Sequence, residues 1–242
     1  QAEPEMHDNT LADLLRIGIC QVPLQDPSIT SIHVFTDGSY GILDNAGEEC
    51  PGAWSAVICV SVNNSELLPH SFFGGKVTTL AESVSFDDVG SNSVGAVRHD
   101  SAAAEWTAIV WTLLWALQLS PSAPLFVHAD AQVQYLAADG QQRWRSEPVM
   151  QLSRALTILV RQTLSLTYAH VKGHSGHPWN EAADAVAKFC ASTGSVIGSV
   201  PLDVIPPELL DTSASQWLWL AAIPVYDLHA WPRYNINGGL IT

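Results

Sequence analysis

Apolar positions follow two periods along the chain, short β-branched or alternating runs and three-to-four spacing, and their order sets out the expected elements. Ile32, Val34 and Phe35 form a short strand-type run ending at Asp37-Gly38-Ser39, a turn signature. Ala53–Val62 is a longer β-branched run, Asn63-Asn64 offers a reversal, and a third apolar stretch lies near Ser71–Phe73, so a three-strand meander is expected. Ser101 precedes the plainest helix, Ala102–Leu119, in which Ile109, Leu113, Ala116 and Leu117 recur at helical spacing before Pro121 ends the run. Leu125–His128 reads as a buried strand, Ala131–Ala138 and Val149–Thr163 as helices, Leu166–Val171 as a strand and Glu181–Ala191 as a last helix. The expected order is βββαβααβα.

Around this pattern lie segments without a clean period. Residues 1–30 read as an acidic extension with Pro4, Pro23 and Pro27 and one short helix, Leu11–Ile19. Residues 79–100 read as an irregular surface insertion. The main domain is expected over 31–195, and residues 196–242 form a Pro- and Trp-rich C-terminal extension with Trp217, Trp219 and Trp231. That tail is expected to fold back on the core, because Trp217, Leu218, Trp219 and Leu220 exposed together would make an unusually large apolar patch.

Composition narrows the classes. With 47% hydrophobic and 14% charged residues among 242, the chain has ample material for a core, which excludes wholesale disorder. Ten Lys and Arg against 24 Asp and Glu leave a formal charge of −14, which excludes an undirected basic coat for nucleic acid. The balance inverts between 141 and 188, where six basic residues, Arg143, Arg145, Arg154, Arg161, Lys172 and Lys188, face three acids. Within that stretch Arg143-Trp144-Arg145 interleaves charge and ring in a way that suits phosphate contact and stacking, or equally a segment that packs Trp144 on the core.

Cys20, Cys50, Cys59 and Cys190 form no paired metal knuckle and no disulfide framework, so a reducing compartment is expected. The first residues lack a basic start followed by an apolar core, and the apolar run Trp217–Tyr226 is too short to span a bilayer, so no membrane association and an intracellular location, nucleus or cytoplasm, are expected. The chain opens on Gln1 rather than Met, which suits a processed product or a segment of a longer polypeptide.

Four acids stand at telling places: Asp37 after the first strand, Glu105 in the first turns of the long helix, Asp130 after the fourth strand and Asp184 in the last helix. Each alone also reads as a turn or cap residue. If the two strands are neighbours, the carboxylates converge at one sheet edge, where only bound cations would offset their repulsion and desolvation. Hard oxygen ligands favour Mg²⁺, with Mn²⁺ as the substitute, and two such ions about 4 Å apart suit phosphoryl transfer. His170, His174 and His177, spaced by four and three residues, form an alternative zinc set.

The wording around these acids adds a resemblance. Thr36-Asp37-Gly38-Ser39, the Glu105 helix, the Asp130 strand end and the run Val171-Lys172-Gly173-His174-Ser175-Gly176-His177-Pro178-Trp179-Asn180-Glu181-Ala182-Ala183-Asp184 resemble the type 1 ribonuclease H family over roughly residues 31–190. The resemblance implies a mixed five-stranded sheet flanked by helices, the ribonuclease H-like α/β fold. It implies hydrolysis of the RNA strand of RNA·DNA hybrids, with Asp37, Glu105, Asp130 and Asp184 as metal-binding carboxylates. His174 corresponds to the loop histidine that assists proton transfer or product release. Gly38, Ser39, Gln132, Asn180, Lys172 and the segment Arg143, Trp144 and Arg145 are the expected substrate contacts. Departures exist: Ala131 stands where the family often has Ser, Asp100-Ser101-Ala102-Ala103-Ala104 replaces an Asn-rich lead, and a basic handle is short or missing. These departures imply modest, salt-dependent affinity or a tethered partner that supplies grip, such as a reverse transcriptase domain in the same polypeptide of a retrotransposon-like element. The competing readings are a stand-alone cellular ribonuclease H, a non-catalytic nucleic-acid-binding or connection module, and another nuclease or recombinase of the same superfold.

Overall fold

The computed structural model describes residues 19–43, 47–83, 93–119, 121–141 and 147–198, together with 233–234 and 240–241. Five strands, β1 (Ile29–Ser39), β2 (Ala53–Val62), β3 (Leu68–Lys76), β4 (Leu125–Ala129) and β5 (Leu166–His170), form one sheet in the order β3-β2-β1-β4-β5. β1 pairs antiparallel with β2 and parallel with β4, β2 pairs antiparallel with β3, and β4 runs parallel to β5. The helices are α1 (Leu80–Ser83), a single turn, then α2 (Ser101–Leu119), α3 (Gln132–Asp139), α4 (Pro148–Thr163) and α5 (Pro178–Thr193). This mixed sheet with flanking helices is the ribonuclease H-like fold. A separate two-residue pairing joins β6 (Arg233–Tyr234) to β7 (Leu240–Ile241).

Two apolar cores lie against the sheet. The larger joins Ile32, Val34, Ile58 and Val127 of the strands to Ile109 and Leu113 of α2 and Leu156 and Val160 of α4. Within it, Trp111 stacks on Trp54 at 5.4 Å between ring centroids, and the Trp54 indole N–H donates to the Lys76 carbonyl at 3.0 Å. An indole buried beside apolar side chains needs that acceptor. The smaller core sets Ala182, Ala183, Val186 and Cys190 of α5 against Phe35, Val57 and Cys59. Small side chains on this face of α5 let the helix lie close to β1 and β2. Leu24 and Ile29, upstream of the expected boundary at 31, belong to the larger core.

The structure corrects several expectations. β1 does not stop at a turn: Asp37, Gly38 and Ser39 stay in the strand, opposite Ser55, Trp54 and Ala53 of β2. The reason for Gly38 is space, since a Cβ there would lie 2.5 Å from the Glu105 backbone nitrogen and 2.7 Å from the Ala104 carbonyl carbon. The glycine admits the first turns of α2 onto the strand. α2 takes in Ser101, one residue before the expected start, and is capped by Asp100, its carboxylate accepting from the Ala103 N–H at 2.7 Å. The last helix starts three residues earlier than its apolar period suggested, because Pro178 fits its first turn. In the expected insertion, Thr79 and Glu82 form a capping box, with the Thr79 N–H donating to Glu82 Oε2 at 2.6 Å, while residues 84–92 lie outside the described residues. The expected helix Leu11–Ile19 falls, apart from Ile19, outside them too, as do the tail tryptophans.

Gly38→Ala should therefore cost about 3 kcal/mol of stability. Urea unfolding of the two chains measures it, and an unchanged midpoint would show that α2 does not press on β1 at this point.

Candidate active site

Asp37 is inside β1 and only 6% exposed, which no isolated carboxylate tolerates cheaply. Its Oδ1 accepts from the Gly38 N–H at 2.7 Å. Glu105, also 6% exposed, is carried to the same spot by α2, and its Oε2 is buried with no hydrogen-bond partner. Asp130 follows directly on β4, the parallel neighbour of β1, and is half-buried. One oxygen from each of the three carboxylates falls within 4.8 Å of the others.

The loop between β5 and α5 closes over this group. Gly173 rests against Asp130, whose Oδ2 would be 2.6 Å from a Cβ at that position. His174 takes a left-handed backbone conformation, φ 50°, unusual for a side chain with a Cβ. The Ser175 hydroxyl donates to the Lys172 carbonyl at 2.6 Å and the Gly176 N–H donates to Glu181 Oε1 at 3.2 Å, which holds the turn. His174, Glu181 and Asp184 form a second group with ligand atoms within 4.8 Å of one another. Lys188 Nζ donates to Asp184 Oδ2 at 2.7 Å from the next turn of α5.

Burial and mutual repulsion dominate the electrostatics. Desolvation first, then the charges of Asp130 and Asp184, pushes the Asp37 carboxyl up to about 8. Glu105 is raised well above the ordinary carboxylate range by burial and by Asp37 and Asp130. Asp130 is raised by burial, against which His174 and His170 pull it back. Without a cation the site therefore retains protons. An orphaned buried oxygen and three convergent hard donors fit a divalent ion of the Mg²⁺ type.

The other expected contacts scatter. Lys172, His174 and Gln132 are exposed, whereas Ser39 is buried in the sheet and Asn180 is only 3% exposed, its Oδ1 also without a partner. Arg143, Trp144 and Arg145 lie outside the described residues. Two of the remaining basic residues hold the fold instead: Arg161 binds Asp139 at 2.5 Å, and Arg154 donates to the Ala138 carbonyl at 3.4 Å, closing α3 onto α4. The zinc alternative fails on geometry. The His177 ring lies 4.9 Å from Phe35 of the smaller core, the His170 ring 6.3 Å from Tyr135 of the larger, and the three imidazoles form no group among the described residues. The sequence assigns no role to Gly173 or Glu181 and counts Lys188 only among the basic residues of 141–188, although Glu181 and Lys188 stand three before and four after Asp184, the spacing that shares a helix face.

No family model matches the chain, and no curated protein matches its sequence. Solved structures do align with it at low identity. A ribonuclease H1 from the halophilic archaeon Halobacterium salinarum is 16% identical, covers 66% of this chain and 96% of its own, and has a TM-score of 0.44. The N-terminal ribonuclease H domain of a Mycobacterium tuberculosis protein is 13% identical over 67% of this chain and 96% of its own, with a TM-score of 0.46. The ribonuclease H domain of prototype foamy virus is 16% identical over 68% and 93%, with a TM-score of 0.39. The fold itself is carried by the strand order and directions described above.

A raised carboxyl has a signed consequence for stability. The unfolded Asp ionises near pH 4 while the folded Asp37 waits until about 8, so its contribution is full below about pH 4 and is lost as the pH climbs through that window. In a metal-chelating buffer, Asp37→Asn should raise stability at pH 8 by on the order of 2 kcal/mol and leave it unchanged at pH 4. Urea melts at both values test this, and a variant weaker than its parent at pH 8 would contradict it.

Proposed function

We propose that this chain is a divalent-metal-dependent endonuclease that hydrolyses the RNA strand of RNA·DNA hybrids. The observation that carries the reading is the convergence of Asp37, Glu105 and Asp130, two of them 6% exposed and one with an orphaned oxygen, at the sheet end where a loop histidine and Asp184 also lie. Three repelling acids held out of water serve structure poorly and serve a cation well. The nuclease domain is proposed over 31–195 together with the residues just before it that carry Leu24 and Ile29 into the larger core, with an acidic extension upstream and a Pro- and Trp-rich extension downstream.

Asp37, Glu105 and Asp130, with Asp184 beside them, would hold Mg²⁺ or Mn²⁺. Bound there, the metal would polarise the scissile phosphate and lower the pKa of a water. Left unneutralised, the carboxylates would repel the phosphate, so the acids that would hold the metal would also decide where the phosphate comes to rest. Water adds to phosphorus and gives up a proton to solvent as the P–O3′ bond breaks, leaving a 5′-phosphate and a 3′-hydroxyl. His174, exposed at the tip of its loop, supplies the proton that the departing 3′ oxygen takes up. Gly38 lets α2 lie against β1, and exposed Gln132 and Lys172 are the proposed contacts to the hybrid. With Arg154 and Arg161 engaged in contacts that tie α3 to α4, grip on the phosphate backbone falls to few cations, so binding is weak and a tethered partner, such as a polymerase domain, would supply the affinity.

The test is cleavage of a hybrid labelled on its RNA strand, beside single-stranded RNA and duplex controls. Mg²⁺-dependent loss of the hybrid's RNA strand alone is expected, abolished in Asp37→Asn and slowed about 10²-fold in His174→Ala. A folded chain that cleaves nothing in low salt with Mg²⁺ or Mn²⁺ would favour the non-catalytic module.

A further inference from the structure

Asp184 differs from the other three acids in its company. Its oxygens group with His174 and Glu181, while the cluster of Asp37, Glu105 and Asp130 forms without it. Lys188 Nζ sits 2.7 Å from Asp184 Oδ2, and among the described residues it is the only Lys or Arg side chain paired with any of the four carboxylates. An i, i+4 pair on an open helix face is loosely held and readily hydrated. This pair is largely covered, with side-chain exposures of 15% for Asp184 and 24% for Lys188, so the ammonium is a standing part of the site.

Building on the metal-dependent reading above, we propose that Lys188 is the resident counter-ion of Asp184 and keeps a second cation out of the substrate-free site. The tight cation position is then the one bounded by Asp37, Glu105 and Asp130. The group of His174, Glu181 and Asp184 becomes a second position only when the ammonium leaves Asp184. Charge fixes the order: Lys188 already neutralises the fourth carboxylate, whereas among the described residues no Lys or Arg pairs with Asp37 or Glu105, the most buried of the set. Lys188 is thus a positioning residue that controls how many cations the site holds at rest.

The experiment is calorimetric titration of the full chain with Mn²⁺, in the wild type, Lys188→Met and Lys188→Arg, with near-ultraviolet circular dichroism to verify folding. One binding event is expected in the wild type and in Lys188→Arg. Lys188→Met should gain a second event, at least about tenfold tighter than any second binding by the wild type. Should Lys188→Met fold poorly, Lys188→Gln carries the same expectation. Identical isotherms in wild type and the neutral variants, or two comparable events in the wild type, would overturn the role of Lys188 while leaving the metal-dependent function standing. A folded wild type that binds no Mn²⁺ would overturn both.

Discussion

Asp37 and Glu105 are held out of water within each other's field because β1 carries a glycine where the first turns of α2 cross it. Any larger side chain at residue 38 would push the helix off the strand and separate the two carboxyls. The rest of the arrangement depends on that crossing. β4 runs parallel to β1 and so ends beside it, which delivers Asp130 to the same edge, and α5 packs its small residues on β1 and β2, which brings Asp184 alongside. The fold spends stability at this edge, where burial raises all three convergent acids, and recovers it in a larger core rich in tryptophan, leucine and valine and a smaller one of alanine, valine, cysteine and Phe35.

Charge is distributed in keeping with that concentration of acids. The chain carries −14 overall, and its arginines are used sparingly: Arg154 and Arg161 tie α3 to α4 and β5, and Arg98 pairs with Asp100 and Glu147 near the start of α2. At the sheet edge, Lys188 pairs with Asp184.

Much of the fold is legible in the sequence, because the strands are β-branched runs and α2 repeats apolar residues at helical spacing. The four acids are legible for a different reason, their positions at element ends together with the wording from Val171 to Asp184. What the sequence hides is contact. Asp37-Gly38-Ser39 reads as a turn by residue type, and only the approach of Glu105 explains the glycine as clearance. Asn180 gives no sign in the sequence that it is buried in the first turn of α5 with its Oδ1 unpartnered. Arg154 and Arg161 read as part of a nucleic-acid face, yet the packing of α3 on α4 claims them. Such assignments depend on which face an element turns inward, and for a helix like α2, apolar nearly all round, composition does not say.

The account stands or falls on whether the buried acids form a cation site. The direct measurement is anomalous diffraction from crystals soaked in Mn²⁺ at neutral pH. A peak bounded by Asp37, Glu105 and Asp130, with Glu105 Oε2 turned toward it, is the predicted result. No peak there, with the three carboxyls sharing protons and hydrogen bonds among themselves, would contradict the account.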